Sequence, residues 1–146
     1  MIAIGSDHGG VNLKSYIEDY LKSENIEFED YGTNSAESCD YPDIAEKVCE
    51  AVKAKKASCG ILICGTGIGM SIAANKIKGI RAAHLTDTYS AAKTKEHNNA
   101  NVICLGERIT GCDLALDIVK AYLGAEFMGG RHQRRIDKVM ALENKE

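Results

Sequence analysis

Residues 61–69 read Ile61-Leu62-Ile63-Cys64-Gly65-Thr66-Gly67-Ile68-Gly69, a continuous apolar run that breaks into a turn of alternating glycines. A strand covered on both faces has no solvent side to alternate toward. Consecutive aliphatic residues bounded by glycine therefore mark a central strand of a parallel sheet. The small residues that follow the turn continue as a helix.

The same unit repeats on either side. Upstream, Ile2-Ala3-Ile4 reads as a buried strand, and Leu13, Ile17, Tyr20 and Leu21 fall at helical spacing within Val11 to Leu21. Ile26-Glu27-Phe28-Glu29 alternates with period two, as an edge strand does. Pro42 is the only proline and suits the first residue of a helix with Ile44, Val48 and Val52 on one stripe. Downstream, Ile80 to Leu85 reads as the fourth strand, Asp87 to about His97 as a helix, and Val102-Ile103-Cys104-Leu105 as the fifth strand. Thr110 with Asp113 three residues on resembles a capping box, opening a helix that runs to Leu123 and ends at Gly124. A last helix begins after Gly129-Gly130.

Strands alternating with helices at this spacing predict an α/β fold: a five-stranded parallel sheet covered on both faces, plus a C-terminal helix, in a single domain over residues 1–146. Right-handed crossovers and an alternating second strand on the edge favour the order 2-1-3-4-5. In that order the chain reverses between strands one and three, and ligands bind outside the carboxyl ends of those strands. Chemistry is expected just after Ile4 and just after Ile63.

Composition narrows the partners. A net charge of -3 argues against a general nucleic-acid binder, which needs a basic face. No apolar run approaches the roughly 20 residues that cross a bilayer, and Met1 to Ile4 is too short for a signal-peptide core. The six cysteines show no paired CxxC spacing, so neither a disulfide framework nor a zinc knuckle is expected. Free thiols without a signal fit a cytoplasmic protein.

Gly5-Ser6-Asp7-His8-Gly9-Gly10 follows strand one, and Cys64 to Gly69 follows strand three. Taken singly, each is ordinary: glycine turns are common, and a Cys at a strand end usually serves as a small core residue. The topology brings the two turns together. Backbone N–H groups at the start of the following helix lack partners and form an anion hole. A Walker loop would need Lys-Ser/Thr where Met70-Ser71 stands, and Gly65, Gly67 and Gly69 lack the dinucleotide spacing. A cysteine phosphatase loop would place Arg where Met70 stands. A donor cradle beside a thiol remains.

An unperturbed thiol ionises near about 8.5, and a helix N-terminus or a nearby cation lowers that value. Cys64 has both candidates, the helix after Gly69 and His8. A thiolate beside N–H donors suits removal of a proton next to a carbonyl, because the donors stabilise the enediolate. His97-Asn98-Asn99 closes the fourth helix. The two Asn read equally as caps, whereas His97 can exchange protons with a sugar ring oxygen. His84 reads as structural. In Gly129-Gly130-Arg131-His132-Gln133-Arg134-Arg135, cations oppose the helix dipole. A solvated basic turn tolerates that, but a bound phosphate gives the arginines a purpose. Arg108, in the loop after strand five, is a further candidate for it.

Together these residues resemble the ribose-5-phosphate isomerase B family, which also includes galactose- and allose-6-phosphate isomerases. The resemblance runs from Gly5-Ser6-Asp7-His8 through Asp40-Tyr41-Pro42 and Cys64 to Gly69, ending at Gly129-Gly130-Arg131-His132-Gln133. It implies a Rossmann-like three-layer α/β/α domain without metal or other cofactor. It also implies a homodimer with sites built at the subunit interface, a tetramer remaining open, and a phosphorylated sugar as substrate. By that similarity Cys64 is the base between C2 and C1, Thr66 shuttles the hydroxyl proton, and Gly65, Gly67, Ile68 and Gly69 hold the enediolate. His97 opens the furanose, Asp7, Tyr41 and Asn98 bind sugar hydroxyls, and His8, Arg131 and Arg135 bind phosphate, with Arg108 a further contact. One branch of the family carries Ser in place of the thiol and a Glu base at the position of Met70; this chain carries the thiol. The resemblance assigns nothing to Arg134.

Two other classes share this topology. A flavodoxin-like module is disfavoured by 5% aromatic residues and no Trp to sandwich a flavin. A receiver domain needs clustered acids after strand one, where His8-Gly9 follow Asp7.

Overall fold

The computed structural model describes residues 1–145. Its elements run β1 (Ile2–Ser6), α1 (Val11–Ser23), β2 (Phe28–Asp30), α2 (Tyr41–Lys53), β3 (Cys59–Cys64), α3 (Ile68–Asn75), β4 (Ala82–His84), α4 (Thr88–Glu96), β5 (Val102–Gly106), α5 (Cys112–Leu123) and α6 (Arg131–Ala141). All four strand pairings are parallel. Side chains alternate between two cores. Ile2, Ile4, Ile61, Ile63, Ile103 and Leu105 face α1 and α5, whereas Ala3, Leu62, Val102 and Cys104 face α2 and α3. An interior strand must satisfy both cores, which explains its unbroken apolar run.

The sheet order is β2-β1-β3-β5-β4, which corrects the expected 2-1-3-4-5. β5 is buried along its whole length between β3 and β4. β4 has only three residues and forms the edge, with Arg81 half-buried before it and His84 exposed at its end. The polar residues bounding β4 and the uniform apolarity of β5 decide the order physically, because a fully apolar strand needs a neighbour on each side. The apolar strand five therefore sits inside the sheet, covered by β3 on one side and β4 on the other. The reversal between β1 and β3 is unaffected.

Two helix starts also differ from expectation. Gly111 caps α5, while Thr110 is buried and its N–H donates to the Gly106 carbonyl at 2.9 Å. Asp113 accepts the Tyr16 hydroxyl instead of serving the helix start. α2 begins at Tyr41, with Pro42 inside its first turn. Among the described residues, no helix is long and apolar enough to cross a membrane.

Candidate active site

The turns after β1 and β3 meet. Asp7 N–H donates to the Ile63 carbonyl at 3.1 Å, and a Cβ on Gly9 would lie 3.3 Å from the Gly65 nitrogen. A Cβ on Gly10 would lie 2.8 Å from the Ile63 oxygen, so this close approach requires glycine. Asp7 caps the short turn His8–Gly10 by accepting the Gly9 N–H at 2.8 Å. The His8 Nδ1 accepts the Cys39 N–H at 3.2 Å, which leaves Nε2 as the ring's free donor.

Cys64 ends β3, with 6% of its surface exposed. Its sulfur accepts the Gly67 N–H at 3.1 Å. Gly67 caps α3 in the left-handed region, at φ 82°, which lets the chain double back over the sulfur before the helix begins at Ile68. The exposed Thr66 hydroxyl accepts the Ile68 N–H at 3.2 Å. The Tyr41 ring lies against Gly69, where a Cβ would sit 2.6 Å from it. From the β5 side, Glu107 N–H donates to the Cys64 carbonyl and Arg108 N–H to the Gly65 carbonyl, each at 3.0 Å. The Arg108 guanidinium covers Gly65, 3.1 Å from where a Cβ would stand. Thus Asp7, Tyr41, Cys64, Gly65, Thr66, Gly67, Ile68, Gly69 and Arg108 gather at one carboxyl edge of the sheet, with His8 in the β1 turn beside them.

The remaining expected residues gather elsewhere. His97 ends α4, and its ring stacks on His132 of α6 with centroids 4.4 Å apart and planes 11° from parallel. His97, Asn98, His132 and Arg135 line a cavity of about 260 Å³ together with Ile136 and Val139. None of the residues that line it comes from the β1 or β3 turn. Arg131, Arg134 and Arg135 are exposed at the start of α6. Asn99 takes φ 44° at the end of α4, in keeping with the capping reading, and its carbonyl accepts from Arg81 at 2.8 Å.

Two residues in these groups carry more than their sequence context indicated. His132 is buried on the inner face of α6, four residues before Ile136. Burial lowers its pKa below the usual imidazole value, and His97, Arg131 and Arg135 push it further the same way. The spacing of His132 and Ile136 was its available signal. His84, read as structural, contacts the β3 turn directly: its Nε2 lies 2.8 Å from the Thr66 carbonyl. No group of three or more His, Cys, Asp or Glu is placed to hold a metal ion among the described residues.

Residues 2–139 match the family model described as Ribose/Galactose Isomerase. The chain is 47% identical over 144 residues to ribose-5-phosphate isomerase B of Escherichia coli K12, covering 99% of this chain and 97% of that protein. The structure of ribose-5-phosphate isomerase B from Clostridium thermocellum superposes with a TM-score of 0.97 at 57% identity, covering 99% and 97% of the two chains. That of the Mycoplasma genitalium ribose-5-phosphate isomerase B, with bound ribulose-5-phosphate, superposes at 0.94 with 44% identity, covering 99% and 97%. Matched along nearly its whole length in both sequence and fold, the chain belongs to the ribose/galactose isomerase family.

Proposed function

We propose that this chain, as a single domain over residues 1–146, interconverts ribose 5-phosphate and ribulose 5-phosphate through an enediolate. The observation that carries this reading is the Cys64 sulfur, held by the Gly67 N–H at the meeting point of the β1 and β3 turns. Its relatives' names supply the substrate class.

His97 exchanges the ring-oxygen proton and opens the furanose to the aldehyde. The Cys64 thiolate then takes the C2 proton, and the electron pair moves onto O1. N–H groups of Gly65 and Gly69 stabilise that negative oxygen, each typically worth about 2.7–4 kcal/mol, joined by those of Gly67 and Ile68 as they leave the newly protonated Cys64 sulfur and the Thr66 hydroxyl they hold at rest. The thiol returns the proton to C1 while the Thr66 hydroxyl passes the O2 proton to O1, which completes the ketose. Asp7, Tyr41 and Asn98 bind sugar hydroxyls. His8, Arg131 and Arg135 bind the phosphate, and Arg108 closes over the turn at Gly65.

The cavity holding His97 and Asn98 is lined without any residue of the Cys64 turn, so the reading requires a second copy to complete each site. Ile68 and Ile72, 51% and 58% exposed on α3, give that copy an apolar surface beside the turn. The working unit is thus a cytoplasmic homodimer with shared sites.

Turnover of ribose 5-phosphate should persist in chelator and fall at least about 10²-fold in Cys64→Ala, the usual loss for a positioned base. Substrate binding should be largely retained in that variant. An unmodified protein that binds the sugar phosphate without converting it would refute the assignment. In a panel of ribose, allose and galactose phosphates, kcat/KM should be highest for ribose 5-phosphate.

A further inference from the structure

His84 reaches the candidate base through a single peptide unit. Its Nε2 is 2.8 Å from the Thr66 carbonyl oxygen, and a carbonyl only accepts, so Nε2 carries the proton. The same peptide ends in the Gly67 N–H, which donates to Cys64 Sγ at 3.1 Å. In a trans peptide the C=O and N–H point in opposite directions. The imidazole therefore holds one end of the unit and the sulfur the other. The contact spans a strand: His84 pairs with Cys104 on β5, and the β3 turn crosses the end of β5 to reach it. Gly106 permits that crossing, since a Cβ there would overlap the Thr66 carbonyl. Gly67 is equally confined, because a Cβ on it would lie 2.8 Å from the His84 ring and 2.9 Å from the Leu105 carbonyl carbon.

We infer that His84 is a positioning residue for Cys64: by gripping the Thr66 carbonyl it keeps the Gly67 N–H directed at the sulfur. This rests on the reading of Cys64 as the base. A donor on a carbonyl also polarises the amide it belongs to, which strengthens the opposite N–H as a donor. Losing the imidazole frees the peptide to rotate and removes that polarisation, so the thiolate loses support. The other groups around the thiol are the Cys104 thiol on β5, the Arg108 guanidinium over Gly65, His8 and Asp7 in the β1 turn, and Tyr41 against Gly69. The nearby Glu107 carboxylate accepts the Leu13 N–H at 2.7 Å.

The test is alkylation of Cys64 by iodoacetamide across a pH series, read by mass spectrometry of the Cys64 peptide, with Cys64→Ala as the blank. In His84→Ala, alkylation at neutral pH should slow by roughly 3- to 10-fold, the worth of one hydrogen bond, and the profile's midpoint should move to higher pH. His84→Gln, whose amide can donate to the same carbonyl, should recover most of the rate. A merely structural loosening would expose the buried sulfur and speed alkylation instead. An unchanged profile in His84→Ala, faster alkylation, or slowing that His84→Gln fails to rescue would each overturn the inference. Because this readout needs no substrate, it is independent of the base assignment. Full turnover in Cys64→Ala would sink that assignment while leaving the His84 result intact.

Discussion

Gly106 shows how a residue without a side chain can determine a site. It pairs with Cys64 across the β3–β5 ladder, and the β3 turn folds directly over it. An alanine there has backbone on its crowded side, so the turn or the strand end must shift. Gly106→Ala should lower stability by about 1–3 kcal/mol, the usual cost of overpacking, and reduce kcat by displacing the turn. Thermal unfolding and steady-state kinetics on the same preparation would check both; an active, fully stable variant would contradict the account. Residues with chemical side chains at the ends of β1 and β3 were legible from sequence, because type and position pointed the same way. His84 was not. Its partner is a backbone carbonyl two strands from its own in the sheet, and no side-chain pattern records such a contact.

At the scale of elements, strand existence was legible and strand order was not. Each apolar run announced a strand, but the order of β4 and β5 depends on which run can tolerate an edge. The comparison of Arg81 and His84 with the uniform Val102 to Leu105 contained that answer. A second feature hidden from the sequence ties α1 to the end of β2. Lys14, 1% exposed, bonds both Asp30 oxygens at 2.7 Å and the Asn34 side chain at 2.8 Å. Beside them, burial raises the Glu18 pKa to about 7, and the neighbouring Asp30 adds to the rise, against the lowering effect of Lys14 and Lys22. Asp30 moves the other way: burial alone would raise it, but bonds from Glu18, Lys14 and the Gly32 N–H hold it low. Folding thus favours a protonated Glu18. That contribution is complete below about 4.5 and is lost as the pH rises toward about 7. Because Glu18 is only half-buried, its worth is about 1 kcal/mol, well under the full linkage value. Glu18→Gln should match the unmodified protein near pH 4.5 and exceed it at pH 8 by roughly 2–4 °C in Tm. Parallel melting curves with no divergence between those pH values would refute the assignment.

For the whole molecule, the decisive fact is that the expected residues fall into two groups. The thiol and its donors crown the sheet, whereas His97 stacks on His132 in a cavity lined without them. Sequence reasoning supplied both groups, but chain order carries no information about which copy of a subunit completes which site. If each site takes Cys64 from one subunit and His97 from its partner, the two residues can be removed in different chains and recovered by mixing. Cys64→Ala and His97→Asn homodimers should each be nearly inactive. Unfolded together and refolded at equal concentrations, they form mixed dimers in half of the molecules, by random pairing of a two-fold assembly. In each mixed dimer one site lacks both groups, while the other has the intact thiol of the His97→Asn chain facing the intact imidazole of the Cys64→Ala chain. Activity should therefore return to about a quarter of that of the unmodified protein, one site in two across half of the dimers. Sites contained within single subunits would give no recovery, because every chain in the mixture lacks one essential group. Recovery must also disappear when the two variants are refolded separately and combined without exchange, since only a newly formed interface can join the two halves of a site.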